Sequence, residues 1–378
     1  VPSLPELEPG TLPPGTAGLR ARVRSFLAEA SFTPRCDSWL TGADPAFSRA
    51  LGARGWLGMT LPARAGGHGR SPLERFVVIE ELLAAGAPVA AHWIADRQVG
   101  PSLLHNGTPE QQRRFLPGIV RGECFFAIGM SEPDSGSDLA SVRTRAERTR
   151  GGEHGDGWRL TGTKVWTSGA HLAHAILVLA RSERGSERHA GLTQFIVPLP
   201  AEGVTIRPIA SLSGEHHFNE VVFDGAFVPD ALVLGKPGDG WRQVTAELAY
   251  ERSGPERLLS TFLLLRLLHE RGADPRALGR LLARLWALRQ ASLGVAGALA
   301  QGRTPDVAAA LVKDLGTRFE SEVIEAARDH AGAEPDPGSP DPLARALAQA
   351  VVQAPGFTLR GGTNEILRGI VARGLGVR

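Results

Sequence analysis

The spacing of apolar residues changes twice along this chain, and those changes limit its fold more than any other feature. Up to about residue 122 apolar positions recur every three or four residues, as in "FSRALGARGWLG" (47–58) and "LERFVVIEELLAAG" (73–86). That spacing marks helices with one buried face. "TPEQQRRFLPGIV" opens with Thr108 and then Pro109 at the first helical position, a strong start signal. From residue 125 to about 234 the segments become short and strand-like: "CFFAIGM", "WRLTGTKVWTS", "AILVLARS", "TQFIVPL", "VTIRPIA" and "NEVVFDGAFVP". Turn residues separate them, including "RGGEHGDG" at 150–157. Helices return from Trp241 in "WRQVTAELAYERSGPERLLSTFLLLRLLHE" and "DVAAALVKDLGTRFESEVIEAARDHAG", with the Pro-rich "AEPDPGSPDP" (333–342) as a loop. Helices, then a β block, then helices make an α+β fold. The expected divisions are a loose arm at 1–18, a helical domain at 19–124, a β domain at 125–235 and a helical bundle at 236–378. The sequence contains no internal repeat.

With 378 residues the chain is long enough for two or three domains and a sizeable core. Forty-two basic residues face 40 acidic ones, for a net charge of +2, and no Lys/Arg cluster is interleaved with aromatics. Nucleic acid is therefore not an expected partner. Two cysteines, Cys36 and Cys124, are too few for a disulfide framework, and a cytoplasmic setting is expected. No apolar run reaches the roughly 18 residues of a membrane span. "VPSLPELEPG" has neither the basic region nor the apolar core of a signal peptide.

Two stretches invite chemistry. "SEPDSGSD" (131–138) combines serine hydroxyls, small residues and turn N–H groups that suit a pyrophosphate and the polar edge of a ring. "LRGGTNEILRG" (359–369) places a Gly-Gly pair, which lets a ligand or another backbone come close, before Thr363, a cap for the helix that follows. Its free N–H groups suit an anion or a polar ring. Trp166 and Ser168 read as one face of an alternating strand. The histidines contribute little. His216 and His217 are neighbours at an expected β turn, and neighbours on a strand point to opposite faces, so no metal site is expected. "RAGGHGRS" (64–71) lacks the Lys-Ser/Thr of a phosphate-binding P-loop.

Three stretches in this order, "MSEPDSGSDLASVRTRAE" from Met130, "LTGTKVWTSGAHLAHAILVLAR" from Leu160 and "RGGTNEILRGIVAR" from Arg360, resemble the acyl-CoA dehydrogenase family. "FNEVVFDGAFVPDALVLG" closes the β block in the same manner. The resemblance covers about residues 19–378 and is thinnest between 265 and 357. It implies an N-terminal helical domain, a central β-barrel-like domain, a C-terminal four-helix bundle and bound FAD. It also implies that Ser131 bonds the pyrimidine edge of the flavin and that Gly136 and Ser137 meet the pyrophosphate. Trp166 would lie against the ring, Ser168 near its N5, and Thr363 and Glu365 at the cofactor. The implied reaction is α,β-dehydrogenation of an acyl-CoA, or carrier-bound acyl, thioester to the trans-2-enoyl thioester. A carboxylate in a dry cleft takes the α-proton, and a hydride goes to flavin N5.

Many members carry that carboxylate immediately before the Gly-Thr of the C-terminal turn, where this chain has Gly361. Other members carry it on the first bundle helix, just before an arginine. Here "AELAYERSGPERLL" supplies Glu251 followed by Arg252. The resemblance therefore assigns the base to Glu251 and stabilisation of developing negative charge to Arg252. A second departure concerns the ADP end of FAD. The Arg-x-x-Phe-Gly stretch of many homotetrameric members is replaced by "DPRALGRLLARLW" (274–286), and their Gly-rich loop by "GAEPDPGSPDP" (332–342). The implied partners are an electron-transfer flavoprotein or other acceptor, together with either further copies of this chain or a related chain. The competing readings are a flavin monooxygenase or oxidase on the same fold, and a subunit of a two-chain dehydrogenase. Acyl length and branching depend on the cleft walls, for which 84–100 is a candidate because its small residues leave room beside Trp93.

Overall fold

A computed structural model describes residues 10–152, 155–252, 254–303, 305–330, 332 and 334–377, without the side chains of 247–251. The helices before the sheet are α1 (Thr16–Glu29), α2 (Ser38–Thr41), α3 (Pro45–Ala53), α4 (Pro72–Ala84), α5 (Ala90–Ile94), α6 (Gly100–Asn106) and α7 (Pro109–Val120). The strands are β1 (Phe126–Gly129), β2 (Arg145–Gly152), β3 (Gly155–Lys164), β4 (Ala175–Arg181), β5 (Leu192–Pro198), β6 (Val204–Ala210), β7 (His216–Pro229) and β8 (Val233–Leu234). After them come α8 (Gly240–Glu251), α9 (Phe262–Glu270), α10 (Pro275–Ala300), α11 (Asp306–His330), α12 (Pro342–Phe357) and α13 (Asn364–Gly374). Helices precede and follow a central sheet, which makes this a mixed α+β fold. Among the described residues no helix is long and apolar enough to cross a membrane. The first helix begins at Thr16, inside the segment expected to be a loose arm.

The chain forms two compact units. One comprises residues 44–69 and 90–247 and contains the sheet. Its strands run in the order β6–β7–β3–β2–β4–β5–β8, with β1 parallel to β4. Strands β4 and β5 are buried along nearly their whole length. The unbroken apolar run "AILVLA" of β4 is what a strand covered on both faces requires, and in β5 the polar Thr193 and Gln194 are buried beside Leu192, Phe195, Ile196 and Val197. The helix α7 starts as its sequence dictates: Thr108 and Gln111 close a capping box around Pro109. Gln111 is buried and its Nε2 also donates to the carbonyls of Ala231 and Val233, both at 2.8 Å, which fixes α7 to the start of β8. Phe115 of this helix meets Phe126 of β1 edge-on at 5.4 Å. Residues 95–99 form a π-helical turn between α5 and α6.

The other unit comprises residues up to 43, 70–89 and 248–378. The long helices α10 and α11 pack through Val295, Ala308, Ala309 and Val312, small and β-branched side chains that let the axes come close. One glycine here has no substitute: a Cβ on Gly316 of α11 would stand 2.0 Å from the carbonyl oxygen of Arg257. Segment 241–270, expected to be helical, forms α8 and α9 with a break between them. Between α8 and α9 lies a 3₁₀ turn at Pro255–Arg257, because proline cannot donate to the preceding turn.

Candidate active site

In the sheet-containing unit, the loop after β1 turns sharply. Glu132 and Ser135 exchange backbone hydrogen bonds at 2.7 and 3.1 Å, which leaves Pro133 and Asp134 exposed at the tip. The Ser135 hydroxyl donates to the carbonyl of Asp138 at 2.8 Å. Under the loop lies a buried ion pair: Lys164 Nζ is 2.8 Å from Glu132 Oε1 and donates to the Met130 carbonyl at 3.0 Å. The N–H groups of Arg143 and Thr144 reach the same carboxylate at 2.7 and 2.8 Å. Burial alone would raise the Glu132 carboxyl, but the Lys164 charge and these donors hold it below the ordinary range. Burial pushes the Lys164 ammonium down to about 8, so it stays protonated at neutral pH. The pair lies under the loop that carries Ser131, Gly136 and Ser137. Ser131 is half-buried, and Gly136 and Ser137 are exposed.

The structure corrects the strand expected through Trp166 and Ser168. Strand β3 ends at Lys164, and Trp166 adopts a left-handed conformation with φ 59°. The reason is long-range. Val165 N–H turns to the Ser131 carbonyl at 2.9 Å, while Thr167 and Gly169 N–H bond the carbonyls of Asn219 and His217 on β7 at 3.0 and 2.8 Å. Buried Asn219 fastens this segment from the side. Its Nδ2 donates to the Thr167 carbonyl at 2.9 Å, and its amide also meets His171 and His216. As a result the Trp166 indole stands 58% exposed, edge-on to Phe218 at 5.6 Å. Through Val165 the segment lies against Ser131, with Ser168 half-buried two residues beyond the indole. A flat, exposed aromatic beside hydroxyls and turn N–H groups is a donor set that fits a planar, polar-edged ring.

The second set belongs to the helical unit. Gly361 and Gly362 have φ 70° and 92°, conformations that side chains rarely adopt, so a glutamate at 361 would be strained there. Arg252, one residue past α8, donates from Nε to the Gly361 carbonyl at 3.2 Å. Glu251 ends α8, and its side chain lies outside the described residues. Lys313 of α11, fully buried, donates to the Gly362 carbonyl at 2.6 Å and to Asn364 Oδ1 at 3.3 Å. Thr363 caps α13 by accepting the Ile366 N–H at 3.3 Å. Glu365 is exposed, and its own backbone N–H and the Thr363 hydroxyl hold its carboxyl below the usual range.

Upstream of this turn, Arg360 makes a bidentate pair with Asp37 at 2.6 and 2.7 Å and lies over Trp39 at 4.4 Å. Trp39 donates to Ser260 Oγ at 3.1 Å, and Ser260 N–H donates to Glu320 at 2.8 Å. Burial pushes the Glu320 carboxyl up to about 7. The sequence reading passed over Glu132, Lys164, Asn219, Lys313 and the Asp37–Arg360 pair. One signal was available: Lys313 and Glu320 stand seven residues apart, on the helix face that also holds Ala309 and Gly316.

Comparison with known proteins follows the same three-part layout. Family models of the acyl-CoA dehydrogenase N-terminal, middle and C-terminal domains match residues 15–123, 127–226 and 266–376. The chain is 39% identical over 337 residues to acyl-CoA dehydrogenase IpdE1 of Mycobacterium tuberculosis, covering 86% of each. It superposes on a solved steroid ACAD, Tcur3481-Tcur3483, with TM-score 0.86 and 31% identity, covering 97% of this chain and 99% of that one. Against the ChsE4-ChsE5 complex of Mycobacterium tuberculosis the TM-score is 0.82 at 27% identity, covering 97% of this chain and 98% of that one.

Proposed function

The chain belongs to the acyl-CoA dehydrogenase family, an oxidoreductase family acting on CH–CH groups, and from that premise we propose that Glu251 is the base of its reaction. Glu251 takes the α-proton of an acyl thioester, and the product is the trans-2-enoyl thioester. One observation carries the reading. Arg252, the residue after Glu251, is bonded to the carbonyl of Gly361, the position where many relatives hold their base. Glu251 is the residue before Arg252 in the chain, and a carboxylate there is our candidate to replace the one that Gly361 lacks. Arg252 orients the turn and lends positive charge to the thioester oxygen as the proton leaves.

FAD, when bound, supplies the acceptor for the electrons removed. In the sheet-containing unit, Ser131 and Ser137 would offer it hydroxyls, Gly136, which has open space around it, would offer its backbone, and Trp166 and Ser168 would contact the ring. In the helical unit, Thr363 and Glu365 are the residues we assign to the cofactor. The electrons pass on to an electron-transfer flavoprotein or comparable acceptor.

The relative described as a steroid ACAD favours a bulky, steroid-derived acyl group on CoA over a straight chain. Two relatives carry paired names, and 274–286 and 332–342 lack the Arg-x-x-Phe-Gly and Gly-rich patterns that many homotetrameric members use at the ADP end of FAD. Both favour assembly with a related chain. The test is to measure FAD per chain with and without that chain, then to expose the flavoprotein to an acyl-CoA panel without oxygen. Flavin bleaching with a product two hydrogens lighter supports dehydrogenation. Flavin that stays oxidised with every thioester contradicts it.

A further inference from the structure

The C-terminal turn holds its two glycine carbonyls against cations. Gly361 O accepts from Arg252 and Gly362 O from Lys313. A trans peptide points its N–H opposite to its C=O. The peptide whose oxygen meets Arg252 carries the N–H of Gly362, and the one whose oxygen meets Lys313 carries the N–H of Thr363. Both N–H groups therefore point away from the cations. Among the described residues neither N–H meets a protein acceptor.

The ends of the turn are fixed by other contacts. Arg360 is clamped to Asp37 upstream, and Asn364 N–H bonds the Thr358 carbonyl at 3.2 Å downstream. What the two cations add is the orientation of the two peptide planes between those ends. A fully buried ammonium is costly, several kcal/mol before its contacts are counted, and a Met or Leu would fill the same space without that cost. Its shortest contact, at 2.6 Å, is to the Gly362 carbonyl, with Asn364 Oδ1 at 3.3 Å, so the direction of that carbonyl is what the ammonium holds most closely.

We propose that Lys313 is a positioning residue: it draws the Gly362 carbonyl inward, so that the N–H groups of Gly362 and Thr363 face outward as a donor pair for FAD. This rests on the reading above that the turn meets the cofactor. The first test is Lys313→Met in the full chain, together with any partner chain that FAD loading requires. Lys313→Met conserves volume but leaves the Gly362 and Asn364 oxygens without their donor, so its FAD binding is compared at temperatures where far-UV circular dichroism shows it folded. The FAD Kd should rise at least tenfold, and a crystal structure should show the Gly362 peptide plane rotated. An unmoved plane or an unchanged Kd overturns the proposal. The second test needs no variant: FAD should slow hydrogen exchange of the Gly362 and Thr363 amides at least tenfold in the wild-type protein. Unchanged exchange on a protein that does bind FAD also overturns it. A wild-type protein that takes up no FAD counts against the functional reading instead, and the peptide plane in Lys313→Met then decides the role of the lysine.

Discussion

At the scale of single residues, buried charge governs the C-terminal turn. Glu320 is enclosed with only Ser260 among the described donors to its carboxylate, and its carboxyl stays protonated up to about pH 7. An unfolded glutamate ionises near 4.5, so between about 4.5 and 7 the folded state binds more protons than the unfolded one. Stability should therefore fall as pH rises through that window, by on the order of 3 kcal/mol at most. Glu320→Gln keeps an acceptor for Ser260 and removes the titration. In thermal melts from pH 5 to 8 the stability of the wild type relative to Glu320→Gln should fall as pH rises, because every other titrating group is common to both; a difference that does not change with pH would contradict the assignment. Little of this was legible in the sequence. The partners of Arg360 and Ser260 lie 323 and 60 residues away, and local pattern carries no information about such pairs. Glu132 and Lys164 were hidden similarly: each looked like an ordinary polar residue in a loop and a strand until the fold brought them to 2.8 Å.

Elements were easier to read where local chemistry decides them. The Thr108–Pro109 start, the apolar run of β4 and the Thr363 cap all follow from neighbouring residues. The end of β3 did not, because Asn219 on β7 and Ser131 before β2 compete with the ladder for the backbone of 165–169. That competition makes the Trp166 segment a ledge instead of a strand. At the other end of the chain the Thr363 hydroxyl serves as a cap and has a proposed role at FAD. Thr363→Ala should cost about 1 kcal/mol of stability through the cap. Thr363→Ser retains the hydroxyl and should recover that stability. If both variants melt like the wild type, the cap contributes nothing.

For the whole molecule, the sequence specified the order helices–sheet–helices and the family, since three motifs in series are hard to produce by other means. The grouping of α1, α2 and α4 with the C-terminal helices, and of α3 and α5–α7 with the sheet, depends on packing across the chain and left no local mark. Function at this scale depends on where the base resides. We assign it to Glu251, because glycine at 361 cannot serve and Arg252, the next residue in the chain, bonds the Gly361 carbonyl. The most direct measurement is anaerobic reduction of the FAD-loaded protein by an acyl-CoA substrate, followed in the flavin absorbance, for wild type and Glu251→Gln. The variant is expected to keep its FAD and to lose reduction by roughly a hundred- to ten-thousandfold, the order for removing a positioned base. Reduction at the wild-type rate in Glu251→Gln would contradict the assignment.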